Sequence, residues 1–91
     1  MLPEARADLR AIRERGAEWS EDFAESLSLA LFRRLRQIRD FPESGRIIPE
    51  YQVRYLRELL EQGFRIMYEV HPDRIEVFGV LHSRQDIRLP Q

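Results

Sequence analysis

The sequence predicts an α+β fold in which an N-terminal helical hairpin packs on one face of a small antiparallel β-sheet. Two segments, residues 3–15 and 20–40, repeat apolar side chains at helical spacing. Residues 64–82 alternate apolar and polar side chains around a polar turn, which is typical of a β-hairpin. The helices precede the strands, and 91 residues are enough for one domain, so we expect a single domain over residues 1–91.

The first helix is predicted from Pro3 to Arg15. Proline suits the first turn of a helix, and the glycine at position 16 is a plausible end. One apolar stripe runs along this helix, formed by Ala5, Leu9 and Ile12.

The second helix is predicted from Ser20, a good N-cap, to Asp40, because Pro42 excludes a longer helix. Its middle carries more apolar residues than one stripe needs. Either this part packs against both the first helix and the sheet, or Leu29 or Phe32 stays exposed and receives a partner.

The rest of the chain predicts loops and short strands around the main hairpin. We expect a turn or loop at 42–46, a loop at 47–55, a strand at 56–60, a turn at Gln62–Gly63 and a last short strand at 87–89. The hairpin itself turns at Pro72–Asp73, which favours pairing of Val70 with Ile75 and hence of Phe64 with Leu81.

This register predicts which side chains share a face of the sheet. Opposite the apolar face lie Arg65, Met67, Glu69, Glu76, Phe78, Val80 and His82. A cation and an imidazole are thus expected close together on one face, Arg65 beside His82, which is the sharpest chemical feature of the sequence.

Composition excludes several classes of function. The chain carries 15 basic residues, all of them arginine, against 16 acidic ones, and its net charge of −1 gives no general attraction to nucleic acid or membrane. Without cysteine there is no disulfide or thiolate metal site, and two distant histidines make a poor metal site, so we expect neither metal nor cofactor. The chain shows no signal peptide or membrane span, which predicts a cytoplasmic protein.

Several segments, taken in order, resemble the RelE/ParE toxin superfamily, and specifically its ParE-like branch. They read LPEARADLRAI, FPESGRIIPE, LREL, GFRIMYEV and VLHSRQD. The resemblance implies the same helical hairpin on an antiparallel sheet. Family members usually begin with a strand before the segment that reads LPEA here, whereas this chain supplies only Met1 and Leu2. We therefore expect that strand to be missing or truncated, leaving a sheet edge open to an antitoxin or a second copy.

The resemblance implies the toxin of a bacterial type II toxin–antitoxin module, of the kind linked to plasmid stabilisation. A ParE-like toxin would bind and inhibit DNA gyrase and would be neutralised by a cognate antitoxin. Such a protein needs a binding surface, and aromatic, methionine and arginine side chains are enriched at interfaces. The candidate binding residues are Arg65, Met67, Phe78, His82, Arg84, Leu29 and Phe32.

Two alternatives remain open. In a RelE-like endonuclease acting on mRNA at the ribosome, His82 would be the acid, Arg65 the phosphate-binding cation and Glu50 the base. The low net charge disfavours an RNA-binding enzyme. A degenerate, non-toxic interaction module is the other alternative. Arg65 and His82 can also be purely structural, with Arg65 paired to Glu58, Glu69 or Asp86 and His82 bonded to a loop carbonyl.

Overall fold

Two long helices open the fold, as the sequence predicts. The computed structural model describes residues 2–19 and 21–82, with helix α1 over Pro3–Trp19 and helix α2 over Glu21–Asp40. The end predicted at Gly16 is wrong: α1 continues to Trp19, since one glycine inside a helix costs only about 1 kcal/mol. The cap predicted at Ser20 and the strand predicted at 87–89 lie outside the described residues.

A four-stranded antiparallel sheet follows the helices. A short 3₁₀ turn over Pro42–Ser44 leads into it, and the strands lie in the order β1-β2-β3-β4. Their bounds are β1 Arg46–Ile47, β2 Leu56–Glu61, β3 Phe64–Val70 and β4 Ile75–His82. The predicted α+β architecture is confirmed, as are the strand that begins at Leu56 and the main hairpin. The turn predicted at Gln62–Gly63 is also confirmed, and both of its residues have positive φ angles, 49° and 85°.

One face of the sheet packs against the helical hairpin and forms the main core. Most of its members are aliphatic side chains that alternate along the strands or recur at helical spacing. The buried members are Ala5, Leu27, Leu31, Ile38, Leu59, Ile66, Tyr68, Val77 and Val80. An ion pair between Arg34 of α2 and Glu61 of β2, with nitrogen and oxygen 3.1 Å apart, lies beside this core.

The opposite face of the sheet carries a second, smaller core. Its buried members are Ile48, Leu56, Met67, Phe78 and Leu81. Side chains from the segment between β1 and β2, Tyr51 and Val53, pack over them together with Leu2. The chain itself therefore covers the middle of both faces of its sheet.

The register of the main hairpin agrees with the prediction only near its turn. Val70 pairs with Ile75 and Tyr68 with Val77, but beyond them the pairing shifts by one residue. The shift leaves Phe78 as an additional residue in β4, which is a β-bulge. The predicted pairing of Phe64 with Leu81 is wrong, because Phe64 pairs with His82 instead.

The outer edge of β4 is only partly open. In the part of the chain that the structure describes, β4 is an edge strand: it pairs with β3 on one side and with no strand on the other, as predicted. However, the Leu2 N–H donates to the Val77 carbonyl at 2.9 Å, and the Val80 N–H donates to the Asp8 carboxylate at 3.0 Å. A capped edge is a weaker template for another strand than the sequence suggested.

A buried tyrosine fastens the segment after α2 to the middle of the sheet. The Tyr68 hydroxyl donates to the Pro42 carbonyl at 2.6 Å and accepts the Gly45 N–H at 3.0 Å. Burial raises the pKa of the Tyr68 hydroxyl above its usual value. The glycine allows the close approach, since a Cβ at position 45 would lie 2.4 Å from the Tyr68 hydroxyl oxygen and 2.7 Å from the Glu58 carbonyl oxygen.

We expect Gly45→Ala to lower the free energy of unfolding by about 2–3 kcal/mol, because the new methyl group overpacks a buried contact with backbone on one side. Urea denaturation measures the effect. The matched control is Gly63→Asn, since a Cβ there lies 3.6 Å from its nearest neighbour and Asn tolerates positive φ. An alanine variant as stable as the wild type would contradict this account of Gly45.

Candidate functional site

The candidate site is centred on Arg65, a buried cation in β3 on the second face of the sheet. Its side chain is only 7% exposed. The guanidinium donates to the Glu58 carboxylate at 2.6 Å and forms two parallel bonds, each 2.8 Å long, to the Glu50 carboxylate. Bidentate pairing of this kind is the strongest geometry available to arginine and a carboxylate. Arg65 therefore already holds two anions of its own chain, one of which is among the partners predicted for it.

Glu58 links this arginine to a second one. Its carboxylate is fully buried and also accepts a bond of 2.6 Å from Arg46 of β1. The four side chains, two arginines and two glutamates, have no net charge. Removing any one of them would leave the other three with an unbalanced charge, which is most costly for the buried Arg65 and Glu58.

Glu50 closes the cluster from the loop that covers the second core. Hydrogen bonds from Arg65 lower the pKa of this carboxyl to about 2, and the same pairing raises the pKa of Arg65. A carboxylate this acidic is a poor general base, because catalysis near neutral pH needs a pKa close to 7. The contact instead anchors the loop, in which Gln52 adopts a positive φ of 52°.

His82 lies on the other side of the sheet from Arg65. Because of the bulge at Phe78, His82 pairs with Phe64, and its ring meets the Phe64 ring edge to face with centroids 5.6 Å apart. Arg65 pairs with Leu81. The prediction that Arg65 and His82 share a face is therefore wrong. Strict alternation does not hold along β4, because the strand contains one additional residue.

The prediction of an exposed apolar surface around Arg65 is also wrong. Met67 and Phe78 are 0% and 2% exposed, buried in the second core beneath the chain's own loop. Val80, which was placed beside them, belongs to the core under the helices. Arg84 lies outside the described residues.

Two of the exposed apolar side chains are in the middle of helix α2. Leu29 is 52% exposed and Phe32 is 61% exposed, whereas Leu27 and Leu31 are buried. The interpretation that the whole middle of α2 packs inside is therefore wrong for these two residues. Both side chains are therefore exposed enough to contact a partner, as the second of the two interpretations requires.

A groove of about 300 Å³ between α1 and α2 adjoins Phe32. Its described wall residues combine apolar side chains with two arginines, and none of these described residues is acidic. They are Leu9, Arg10, Ile12, Arg13, Ser28, Leu31, Phe32 and Leu35. Leu9 and Ile12 belong to the predicted apolar stripe of α1, whereas Arg10 and Arg13 are not among the predicted site residues. Their spacing of three residues is the signal that would have placed both arginines along one side of the groove.

A comparison with protein families identifies the family of this chain. The family model described as the ParE toxin of the type II toxin-antitoxin system parDE matches residues 1–87. The chain belongs to the ParE toxin family. No curated protein matches it significantly. Family membership implies a cognate antitoxin as the partner of this ParE chain.

Two further classes of site are missing from the described part of this ParE chain. Residues 2–19 and 21–82 contain no group of three or more side chains that could hold a metal ion. Neither described helix has the length and apolar character needed to cross a bilayer.

We expect Glu50→Gln to destabilise the ParE chain by about 1 kcal/mol at pH 7, a modest loss because the Glu50 side chain is 48% exposed and water screens the pair. The folded pKa of about 2 lies below the ordinary value of 4.5, so the contribution of the Glu50 charge is fully present above 4.5. It is lost as the pH falls from 4.5 towards 2. Urea denaturation of both proteins over this pH range measures the difference.

The control for this series is Glu43→Gln, which removes the charge of an exposed acid in the 3₁₀ turn. It should leave stability nearly unchanged at every pH. A stability difference between Glu50→Gln and wild type that stayed constant from pH 7 down to pH 2 would contradict the assigned ion pair.

Proposed function

We propose that this chain is a type II toxin that arrests growth by binding DNA gyrase and inhibiting it, and that its cognate antitoxin neutralises it by direct binding. The observation that carries the proposal is the separation of Arg65 from His82 by the sheet. Gyrase is the target that the resemblance to ParE-like toxins implies. A protein that inhibits by binding needs no acid–base set, and here His82 lies on the other face of the sheet from Arg65 and Glu50.

The alternative ribonuclease needs three groups around one phosphate. Cleavage by the RNA 2′-hydroxyl requires a base, an acid and a cation within hydrogen-bond reach of the reacting atoms. Here the cation, Arg65, is held by two carboxylates, and the base, Glu50, is one of them. The acid, His82, lies beyond the sheet. The geometry therefore favours binding over cleavage.

Charge supports the same choice. An enzyme that acts on RNA in the ribosome gains affinity from cationic surface, and a net charge of −1 supplies little. The exposed apolar residues of α2, Leu29 and Phe32, offer instead the kind of contact that protein partners bury.

For the antitoxin, the groove between α1 and α2 is the surface we favour. An amphipathic helix could lay its apolar side against Leu9 and Ile12, while acidic residues on its flank pair with Arg10 and Arg13. Because the described residues of the groove include two arginines and no acid, an acidic segment is the complementary occupant.

The test is expression of His82→Ala in bacteria, followed by a supercoiling assay with purified gyrase and mapping of mRNA ends. We expect growth arrest and inhibited supercoiling to persist at the wild-type level, because His82 is not part of a catalytic set. His71→Ala is the matched control. Arrest that disappears in His82→Ala, together with wild-type cleavage of mRNA in the ribosomal A site, would establish the nuclease instead. No arrest by the wild type would favour a non-toxic module.

A second arm of the same experiment tests the antitoxin groove. Co-expression of the antitoxin should suppress arrest by the wild type but not by the double variant Arg10→Glu, Arg13→Glu, whose groove repels an acidic segment. The control Arg54→Glu reverses one exposed charge in the loop before β2 and should remain suppressed. Full suppression of the groove variant would place the antitoxin elsewhere.

A further inference from the structure

The outer side of helix α2 combines an apolar centre with opposite charges at its two ends. Residues spaced three or four apart lie on one side of a helix, and all the members of this stripe are exposed. We call them the α2 stripe: Asp22, Glu25, Leu29, Phe32, Arg33 and Arg36. The acids lie towards the N-terminus, the arginines towards the C-terminus and the two large apolar side chains between them.

The charge polarity alone has a simple explanation within one helix. Acidic residues near the N-terminus and basic residues near the C-terminus both interact favourably with the helix dipole. The dipole gives no reason for Leu29 and Phe32 to project from the surface between the two charged ends, with about half or more of each side chain in water. The apolar centre therefore needs a separate account.

We propose that the α2 stripe is the contact surface of a homodimer, in which α2 packs antiparallel against α2 of a second copy. An antiparallel pair related by a twofold axis brings the acidic end of each stripe to the basic end of the other. One register places Leu29 opposite Phe32 of the second copy and, at the same time, Glu25 opposite Arg36 of the second copy. Each such contact occurs twice, as an isologous interface requires.

The charges select a second copy over other occupants. A partner for the stripe must carry the reverse order of charges when it lies alongside it, and an antiparallel copy of the same helix carries that order. Parallel packing would set acids against acids and arginines against arginines. Helices pack with axes about 8–10 Å apart, a distance that long arginine and glutamate side chains bridge easily.

The dimer is weak and depends on salt. Each copy contributes only two large apolar side chains to the centre of the interface. The area that they bury is far smaller than the roughly 800 Å² per partner of a standard interface. We expect a dissociation constant on the order of 10–100 μM at low ionic strength, rising as salt screens the rim charges. Phe32 also borders the groove assigned to the antitoxin, but the dimer is a property of the chain by itself.

The experiment is sedimentation equilibrium of the isolated full-length chain over a concentration series, with two charge-reversed variants. One carries Asp22→Arg and Glu25→Arg, and the other carries Arg33→Glu and Arg36→Glu. The dimer dissociation constant of each variant alone should be at least tenfold higher than that of the wild type, because the charge pairs between the two copies become repulsive. Mixed in equal amounts, the two should form a heterodimer, since every pair is then attractive again.

Circular dichroism checks that each variant is folded, and the control Arg54→Glu should dimerise like the wild type. If a reversed pair fails to fold, Leu29→Ser with Phe32→Ser provides the second test and should also give a monomer. A wild-type chain that stays monomeric up to about 1 mM, reversed variants that dimerise normally, or a mixture of folded variants that stays monomeric would each overturn the proposal. None of these results depends on gyrase or on the antitoxin.

Discussion

The position of one additional residue, Phe78, decides which side chains of this protein meet. Up to Val77 the last strand pairs as simple alternation requires, and beyond it the pairing is offset by one. Because side chains alternate between the faces of a sheet, the offset moves Val80 and His82 to the side of the helices and Leu81 to the other side. The bulge thus allows β4 to contribute apolar side chains to the cores on both faces of the sheet. It also separates Arg65 from His82, which a nuclease would have needed on the same face.

The second core explains why two charged side chains, Glu58 and Arg65, are buried in a small domain. Covering Met67 and Phe78 requires the loop between β1 and β2 to fold back over the sheet. That loop is held by Glu50, which reaches the buried Arg65, and Arg65 is in turn neutralised by the buried Glu58. Burying a charge without a partner is costly, so these groups act as one unit rather than as independent ion pairs. Two of the residues considered for catalysis, Arg65 and Glu50, therefore hold this loop in place.

The surfaces proposed to bind partners lie on the helices rather than on the sheet. The chain itself covers the middle of both faces of the sheet, and the exposed apolar side chains of α2 and the groove beside them are surfaces available to other macromolecules. This is consistent with a member of the ParE toxin family, whose partner is a cognate antitoxin. The two surfaces adjoin at Phe32, so self-association and antitoxin binding would use neighbouring parts of the same helix.

Much of the fold could be predicted from the sequence, because helical periodicity, strand alternation and turn residues each depend on local chemistry. The helical hairpin, β2 and the main hairpin follow from such signals. The site could not be predicted in the same way. A bulge has no strong local signal, so the register beyond Val77 was wrong, and with it the side of the sheet assigned to His82. Nor did the segment 47–55 show by itself that it would fold over Met67, since that depends on the distant pairing of Glu50 with Arg65.

The register of β4 is the central claim, and cross-strand nuclear Overhauser effects in the NMR spectrum of the folded chain measure it directly. The structure predicts close contacts between the backbones of Met67 and Gly79, and between the rings of Phe64 and His82. Contacts of Ile66 with Gly79 and of Phe64 with Leu81 would show uninterrupted alternation. They would return His82 to the side of Arg65 and contradict the account.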